Sequence, residues 1–151
     1  MSREERAKEY FLQGYACSQA VALAFADLTG LDEATLVKLT LPFGGGMGRL
    51  RLTCGALSGM AAIVGLLFAK EENTPENKMH TYQIVQGLCK KFEAENGHLL
   101  CGDLLDKMQV PVEVGGVAEP RTKEYYQKRL CSDLVASAAR ILDEYVRENL
   151  Q

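Results

Sequence analysis

A stretch of 18 residues without a charged side chain, from Leu52 to Ala69, constrains the fold more than any other feature of this sequence. It contains a GxxxG pair at Gly55 and Gly59, which allows close backbone approach, and its length is close to that of a membrane span. However, five of its residues are Gly, Ser or Thr, and charged residues flank both ends. We therefore favour a helix near 54–71 that is buried on most sides at the centre of a soluble bundle.

The rest of the chain spaces its apolar residues three and four positions apart, which is typical of helices. No alternation of strands and helices appears, so we predict an all-α fold, a bundle of about five to seven helices around the apolar helix. Besides that helix, the predicted helices cover 3–13, 18–28, 33–40 with Asp32 as the N-cap, a segment from Thr74-Pro75 to about Asn96-Gly97, 101–107 and 122–148.

Residues 109–120 contain two prolines and two glycines and are predicted to form a flexible loop, although their valine-rich half could form a small hairpin. At 151 residues the chain should bury about 68% of its unfolded surface, so residues 1–151 are expected to form a single domain.

The charge balance excludes some partners. Lys and Arg total 17 and Asp and Glu total 20, which gives a net charge of −3, and no block of like charges occurs. We therefore expect no nucleic acid as a partner. The charged start, Met1 to Arg6, does not resemble a signal peptide, so we expect a cytoplasmic protein that does not associate with membranes.

The five cysteines are the residues most suited to chemistry, and without a signal peptide they are not expected to form permanent disulfides. No CxxC pair exists, so spacing indicates neither a zinc ribbon nor a thioredoxin-type site. Cys17, Cys54 and Cys101 stand where predicted helices begin, and the positive end of a helix favours a thiolate over a thiol. Arg49 and Arg51 would add positive potential at Cys54, whose pKa we therefore expect to be lowered.

Cysteine is also a small hydrophobic residue that is commonly buried. On pattern alone, Cys89 and Cys131 fall inside predicted helices and are expected in the core. Four glycines in the five positions 44–48 form a turn that could direct backbone N–H groups at a thiolate, a cluster sulfide or an anion. This turn is not a phosphate loop, because no Lys-Ser/Thr follows it and no strand precedes it.

Several segments together resemble a known family. Cys54-Gly55-Ala56-Leu57-Ser58-Gly59 matches a CGAxxG motif in full. The similarity continues in four other segments, namely 15–21, 43–48, 97–105 and 130–135. The chain thus resembles the C_GCAxxG_C_C family of redox-active proteins, and the similarity covers nearly its whole length. This resemblance implies redox activity without specifying a substrate.

The resemblance also implies one site built from Cys17, Cys54, Cys101 and Cys131, with Cys89 outside it. We predict that these four sulfurs converge in one partly enclosed pocket beside the glycine turn, as catalytic thiols or as metal ligands. The glycines that could let a cofactor approach them are Gly44, Gly45, Gly46, Gly48, Gly55 and Gly59.

Two functions from different classes remain open. Four thiolates could hold an iron–sulfur cluster, which would make the protein an electron-transfer or sensing module, or hold a structural zinc ion. Alternatively, the protein could be a metal-free thiol–disulfide oxidoreductase whose cysteines form one or two reversible disulfides. A bond or metal joining Cys101 and Cys131 would restrict the loop at 109–120. The redox partner, a protein or a small thiol, is not specified by the sequence, and a homo-oligomer remains open.

Overall fold

The computed structural model describes residues 1–150, and within them the backbone forms nine α-helices and one 3₁₀ turn but no strand. The all-α prediction is therefore confirmed. The helices are α1 (Arg3–Leu12), α2 (Cys17–Leu23), α3 (Ala26–Thr29), α4 (Glu33–Thr40), α5 (Gly55–Phe68), α6 (Pro75–Asn96), α7 (Cys101–Lys107), α8 (Lys123–Lys128) and α9 (Cys131–Asn149), and the 3₁₀ turn is Leu41–Phe43.

The uncharged helix α5 lies at the centre of the bundle, as predicted. It contacts α2, α6 and α9, while α1 packs along α9 and α2 on the other side. Its largest buried side chains are Leu57, Met60, Ile63 and Val64, each at most 2% exposed. Burial of such side chains is the main favourable contribution to the free energy of folding of a bundle of this size. Among residues 1–150 no helix has both the length and the apolar character needed to cross a membrane.

Local signals set several helix ends where the sequence predicts them. Asp32 accepts a hydrogen bond from the Thr35 backbone N–H at 2.7 Å, and Thr74 does the same for Asn77 at 3.1 Å. These bonds satisfy amide groups that have no partner inside a helix. α6 ends at Gly97, whose φ of 97° lies in the left-handed region that glycine tolerates best.

The number of helices is larger than predicted because two expected helices are divided. The helix expected at 18–28 forms two pieces, α2 and the single-turn α3. The long helix expected at 122–148 is interrupted at Arg129, whose backbone is extended (φ −104°, ψ 111°). This interruption lets the Arg129 guanidinium reach Glu119, and it makes Cys131 the first residue of α9.

Two irregular segments pack against each other near the start of α5. The segment 44–51 includes six residues in turn conformations, and Arg49 and Arg51 both have positive φ values, 64° and 62°. The residues between α7 and α8 form no strand, so the hairpin considered for 109–120 is not formed. Instead the Gly115 N–H donates to the Arg49 carbonyl oxygen at 2.8 Å, and Arg51 Nε donates to the Glu113 carbonyl oxygen at 2.9 Å. The two arginines therefore tie this loop to the turn.

Candidate functional site

Four of the five cysteines lie at the starts of four different helices. Cys17, Cys101 and Cys131 are the first residues of α2, α7 and α9, and Cys54 directly precedes α5. The helix-start positions of Cys17, Cys54 and Cys101 are as predicted. The mid-helix position expected for Cys131 is wrong, because the chain breaks its helix at Arg129.

All four of these cysteines line one pocket with a volume of about 320 Å³. Their convergence, expected from the sequence, is observed, and their chemical roles stay a prediction. The glycine turn forms one wall, and the loop between α7 and α8 forms another. The lining includes Gly44, Gly45, Gly46, Gly48, Gly55, Arg49, Arg51, Glu119, Arg121, Tyr125 and Arg129.

The predicted glycines differ in what they do. A Cβ atom on Gly46 would lie 2.6 Å from the Cys101 Cβ, so this glycine lets the turn approach the start of α7. A Cβ atom on Gly55 would lie 3.3 Å from the Cys17 Cβ. Gly59 does not line the pocket, because its missing side chain makes room for the Ser18 backbone, whose oxygen would be 2.4 Å from a Cβ atom. Gly59 therefore packs α5 on α2, and the cofactor-binding position expected for it is not observed.

Cys17 and Cys131 influence each other's ionisation, since the neighbouring thiol is the largest cause of the pKa shift at each of them. The hydrogen bond from Cys17 lowers the pKa of Cys131, and the positive charges of Arg129 and Arg121 lower it further, against the opposing effect of burial. The same hydrogen bond and burial raise the pKa of Cys17. The Cys131 thiol therefore loses its proton more readily than the Cys17 thiol.

The lowered pKa expected at Cys54 is wrong. Cys54 is only 5% exposed, and burial raises its pKa to about 12. The arginine expected to activate it, Arg51, instead donates from Nη1 to the sulfur of Cys101 at 3.6 Å. Burial still raises the pKa of Cys101, although Arg51 opposes this effect. Of the four pocket thiols only Cys131 has a lowered pKa, and it is buried in the core, as the sequence pattern indicates.

A cluster of arginines around one carboxylate lines the pocket, and sequence reasoning missed it. Glu119 Oε1 lies 2.9 Å from Arg49 Nη2 and 3.9 Å from Arg51 Nη2, and it also pairs with Arg129. Burial opposes ionisation of Glu119, but these arginines outweigh it and lower its pKa. No local signal links residues that are 70 positions apart, so the cluster could not be found from spacing.

Arg121 is the fourth arginine of the pocket, and neutral groups hold it in place. Its guanidinium lies 4.3 Å from the Phe11 ring centroid and 5.0 Å from that of Tyr125. It donates to the carbonyl oxygens of Phe11 at 3.1 Å and Tyr15 at 3.0 Å. The aromatic residues of α8 thus help to orient a charge at the site.

Other sequence candidates lie outside this arrangement. Cys89 lies within α6, partly exposed, and does not line the pocket. In the part of the chain that the structure describes, no group of three or more His, Cys, Asp or Glu side chains is arranged to hold a metal ion. The metal-ligand role considered for the four cysteines therefore gains no support from their geometry.

Comparison with known proteins adds one finding. No curated protein and no solved structure gives a significant match to the chain. The sequence model of one family, described as "Putative redox-active protein (C_GCAxxG_C_C)", matches residues 15–145. This range contains all four cysteines of the pocket and most of the chain. The chain therefore belongs to the C_GCAxxG_C_C family.

Proposed function

We propose that this protein exchanges electrons as a thiol–disulfide redox protein whose reactive pair is Cys17 and Cys131. One observation carries the proposal, namely that Cys17 and Cys131 begin two helices that pack against each other and line the same arginine-lined pocket, where each shifts the pKa of the other. Thiolates, rather than thiols, attack disulfides, and a neighbouring positive charge stabilises the thiolate. In this pair Cys131 is suited to attack a substrate disulfide, and Cys17 is suited to attack the mixed disulfide that results.

Cys131 is the nucleophile of this proposal. Its thiolate attacks one sulfur of a substrate disulfide, forming a mixed disulfide at Cys131 and releasing the other half of the substrate as a thiolate. The Cys17 thiol then loses its proton to this leaving thiolate.

Cys17 completes the exchange. Its new thiolate attacks the Cys131 sulfur, which forms the Cys17–Cys131 disulfide and releases the second half of the substrate as a thiolate that takes a proton from water. The substrate disulfide thus gains two electrons and the protein pair loses two. Cys54 and Cys101 line the same pocket, and we assign them no step in this exchange.

Trapping the mixed disulfide tests the assignment. Reduced Cys17→Ser protein, mixed with bis(2-hydroxyethyl) disulfide, is expected to accumulate one adduct at Cys131, whereas Cys131→Ser protein accumulates none at Cys17 under the same conditions. Peptide mass spectrometry after acid quenching locates the adduct. Cys89→Ser serves as the matched control and is expected to form the Cys17–Cys131 disulfide like the wild type. An adduct on Cys54 or Cys101 instead would overturn the assignment.

A four-thiolate metal centre is the second candidate, favoured by the presence of four thiols in one pocket. Thiolates suit both iron–sulfur clusters and zinc. Within residues 1–150 the side chains are not arranged to hold a metal, so this candidate requires them to rearrange. Iron, zinc and sulfide analysis of anaerobically purified protein, together with its absorption spectrum, separates the two candidates. A stoichiometric cluster or zinc ion would replace the thiol–disulfide proposal.

A further inference from the structure

The cysteine pocket has an excess of positive charge, although the chain as a whole has a net charge of −3. Four arginines line the pocket, and Glu119 is the only carboxylate among its lining residues in the described chain. Even with Cys131 ionised, two positive charges remain without a negative counterpart in the lining. A cleft of one sign concentrates ligands of the opposite sign.

Arg121 is the arginine best placed to meet such a ligand. Its hydrogen-bond acceptors are the carbonyl oxygens of Phe11 and Tyr15 and the hydroxyl of Tyr126, and aromatic rings lie over it, so no carboxylate neutralises its charge. These contacts also fix its position, which reduces the entropy lost on binding. Arg121 lines the same pocket as the proposed nucleophile Cys131, and its positive charge lowers the pKa of that thiol.

The size of the pocket selects a small molecule. Its volume of about 320 Å³ is at the low end of the range for small-ligand sites. Cys131 is only 8% exposed, which favours a small, mobile disulfide over one fixed in the surface of a folded protein. Leu41, Leu104 and Leu134 add apolar lining that suits a short aliphatic chain.

We infer that the substrate of this pocket is a small aliphatic disulfide that carries negatively charged groups such as carboxylates. This inference rests on the proposed exchange at Cys17 and Cys131. The arginines bind the negative groups, and the reaction is the one described above, in which one anionic disulfide gains two electrons and leaves as two anionic thiols.

A matched series of disulfides tests the inference. The reduced protein is mixed with dithiodiglycolate, bis(2-hydroxyethyl) disulfide or cystamine, which are anionic, neutral and cationic. Formation of the Cys17–Cys131 disulfide is followed by acid quenching and mass spectrometry. Each rate is divided by the rate of the same disulfide with dithiothreitol, which removes differences in intrinsic reactivity. We expect the anionic disulfide to exceed the neutral one by about tenfold or more, and the cationic one to be slowest.

Two further measurements keep the test independent of any one variant. The advantage of the anionic disulfide should shrink as KCl rises from roughly 10 mM to 500 mM, because salt screens the arginines. Arg121→Gln should lose most of the preference. Arg147→Gln, which removes an exposed arginine that does not line the pocket, should keep it.

The outcomes separate the two proposals. Equal normalised rates for the three disulfides, independent of salt, would overturn the anionic substrate and leave the proposed exchange in place. Failure of all three to produce the Cys17–Cys131 disulfide would overturn the exchange and, with it, the inference.

Discussion

The Cys131 thiol differs from the other cysteines through its surroundings rather than through its exposure. It is nearly as buried as Cys54, yet burial dominates at Cys54, whereas at Cys131 the hydrogen bond from Cys17 and the charges of nearby arginines outweigh it. A pKa shift of one unit corresponds to about 1.4 kcal/mol, so two equally buried thiols can differ greatly in reactivity.

The pH dependence of alkylation should display this difference. At pH 8 a thiol with a pKa of about 12 is ionised in only roughly one molecule in 10,000, so Cys54 should react with iodoacetamide far more slowly than Cys131 in the reduced protein. The rate at Cys131 should level off below the pH at which an ordinary cysteine does, because its pKa is lowered. Peptide mass spectrometry across pH 6–10 measures both rates. Unfolded protein is the control, because all five thiols should react alike in it. Faster labelling of Cys54 than of Cys131 in the folded protein would contradict the assignment of Cys131 as the more reactive thiol.

The two GxxxG glycines of helix α5 allow the start of α2 to pack closely against it, beside the pocket. Gly55 leaves room for Cys17, and Gly59 leaves room for the Ser18 backbone, so the spacing of four residues positions the start of α2 over one face of α5. The site therefore depends on a packing contact one helical turn away from its own sulfurs.

Substituting glycines in α5 should separate packing from helix propensity. In Gly59→Ala the new Cβ would lie 2.4 Å from the Ser18 oxygen, and α2 must move, so we expect a loss of about 1–3 kcal/mol in the free energy of unfolding. Gly65→Ala lies on the same helix with no atom within 4 Å, and it should stabilise the protein by up to about 1 kcal/mol. Urea denaturation of both variants measures the difference. Equal effects at the two positions would show that Gly59 has no special packing role.

The loop between α7 and α8 is held over the pocket by the arginines that bind Glu119. Removing this charge in Glu119→Gln should loosen the loop. The Gly115 N–H is bonded to the Arg49 carbonyl oxygen, and its hydrogen should exchange with solvent roughly fivefold faster. This increase corresponds to a loss of about 1 kcal/mol in the free energy that keeps the loop closed. Glu113→Gln is the matched control on the same loop, because its carboxylate is largely exposed and lies 3.8 Å from Arg49. Hydrogen exchange measured by NMR reports both variants. Unchanged protection of Gly115 in Glu119→Gln would mean that the ion pairs do not hold the loop.

Over the whole molecule, the proposed disulfide joins two helices that are distant in sequence. Cys17 begins α2 and Cys131 begins α9, 114 positions later, and these helices pack against each other in the bundle. Oxidation would therefore close a long loop of the unfolded chain, including the apolar helix and most of the core. The redox state of the pair should then affect the stability of the entire fold.

Thermal unfolding should detect this coupling. In the chain-entropy model a loop of this length contributes about 4–5 kcal/mol, which corresponds to an increase in Tm of roughly 10–15 °C for a domain of this size. We expect this difference between the oxidised and the reduced wild type by calorimetry, and also in Cys89→Ser. Cys17→Ser should show no such difference after the same oxidative treatment. If Cys17→Ser showed the full increase in Tm on oxidation, the stabilising disulfide would have to join other cysteines.

The sequence by itself determined the fold class, most helix ends and the group of cysteines to consider. Helical spacing of apolar residues, the caps at Asp32 and Thr74, and the uncharged stretch that forms α5 are local properties, and local physics decides them. The matching segments around four cysteines indicated the family, and a family model matching residues 15–145 confirmed it.

Only the tertiary structure decided which thiol is activated and by what. The helix break at Arg129, the pairing of Cys131 with Cys17, and the arginines gathered around Glu119 depend on contacts between residues far apart in the chain. The direction of a pKa shift depends on burial and on the charges within a few ångströms, and neither can be obtained from spacing along the sequence. For this reason the sequence identified the cysteines of the site but selected Cys54, where the structure selects Cys131.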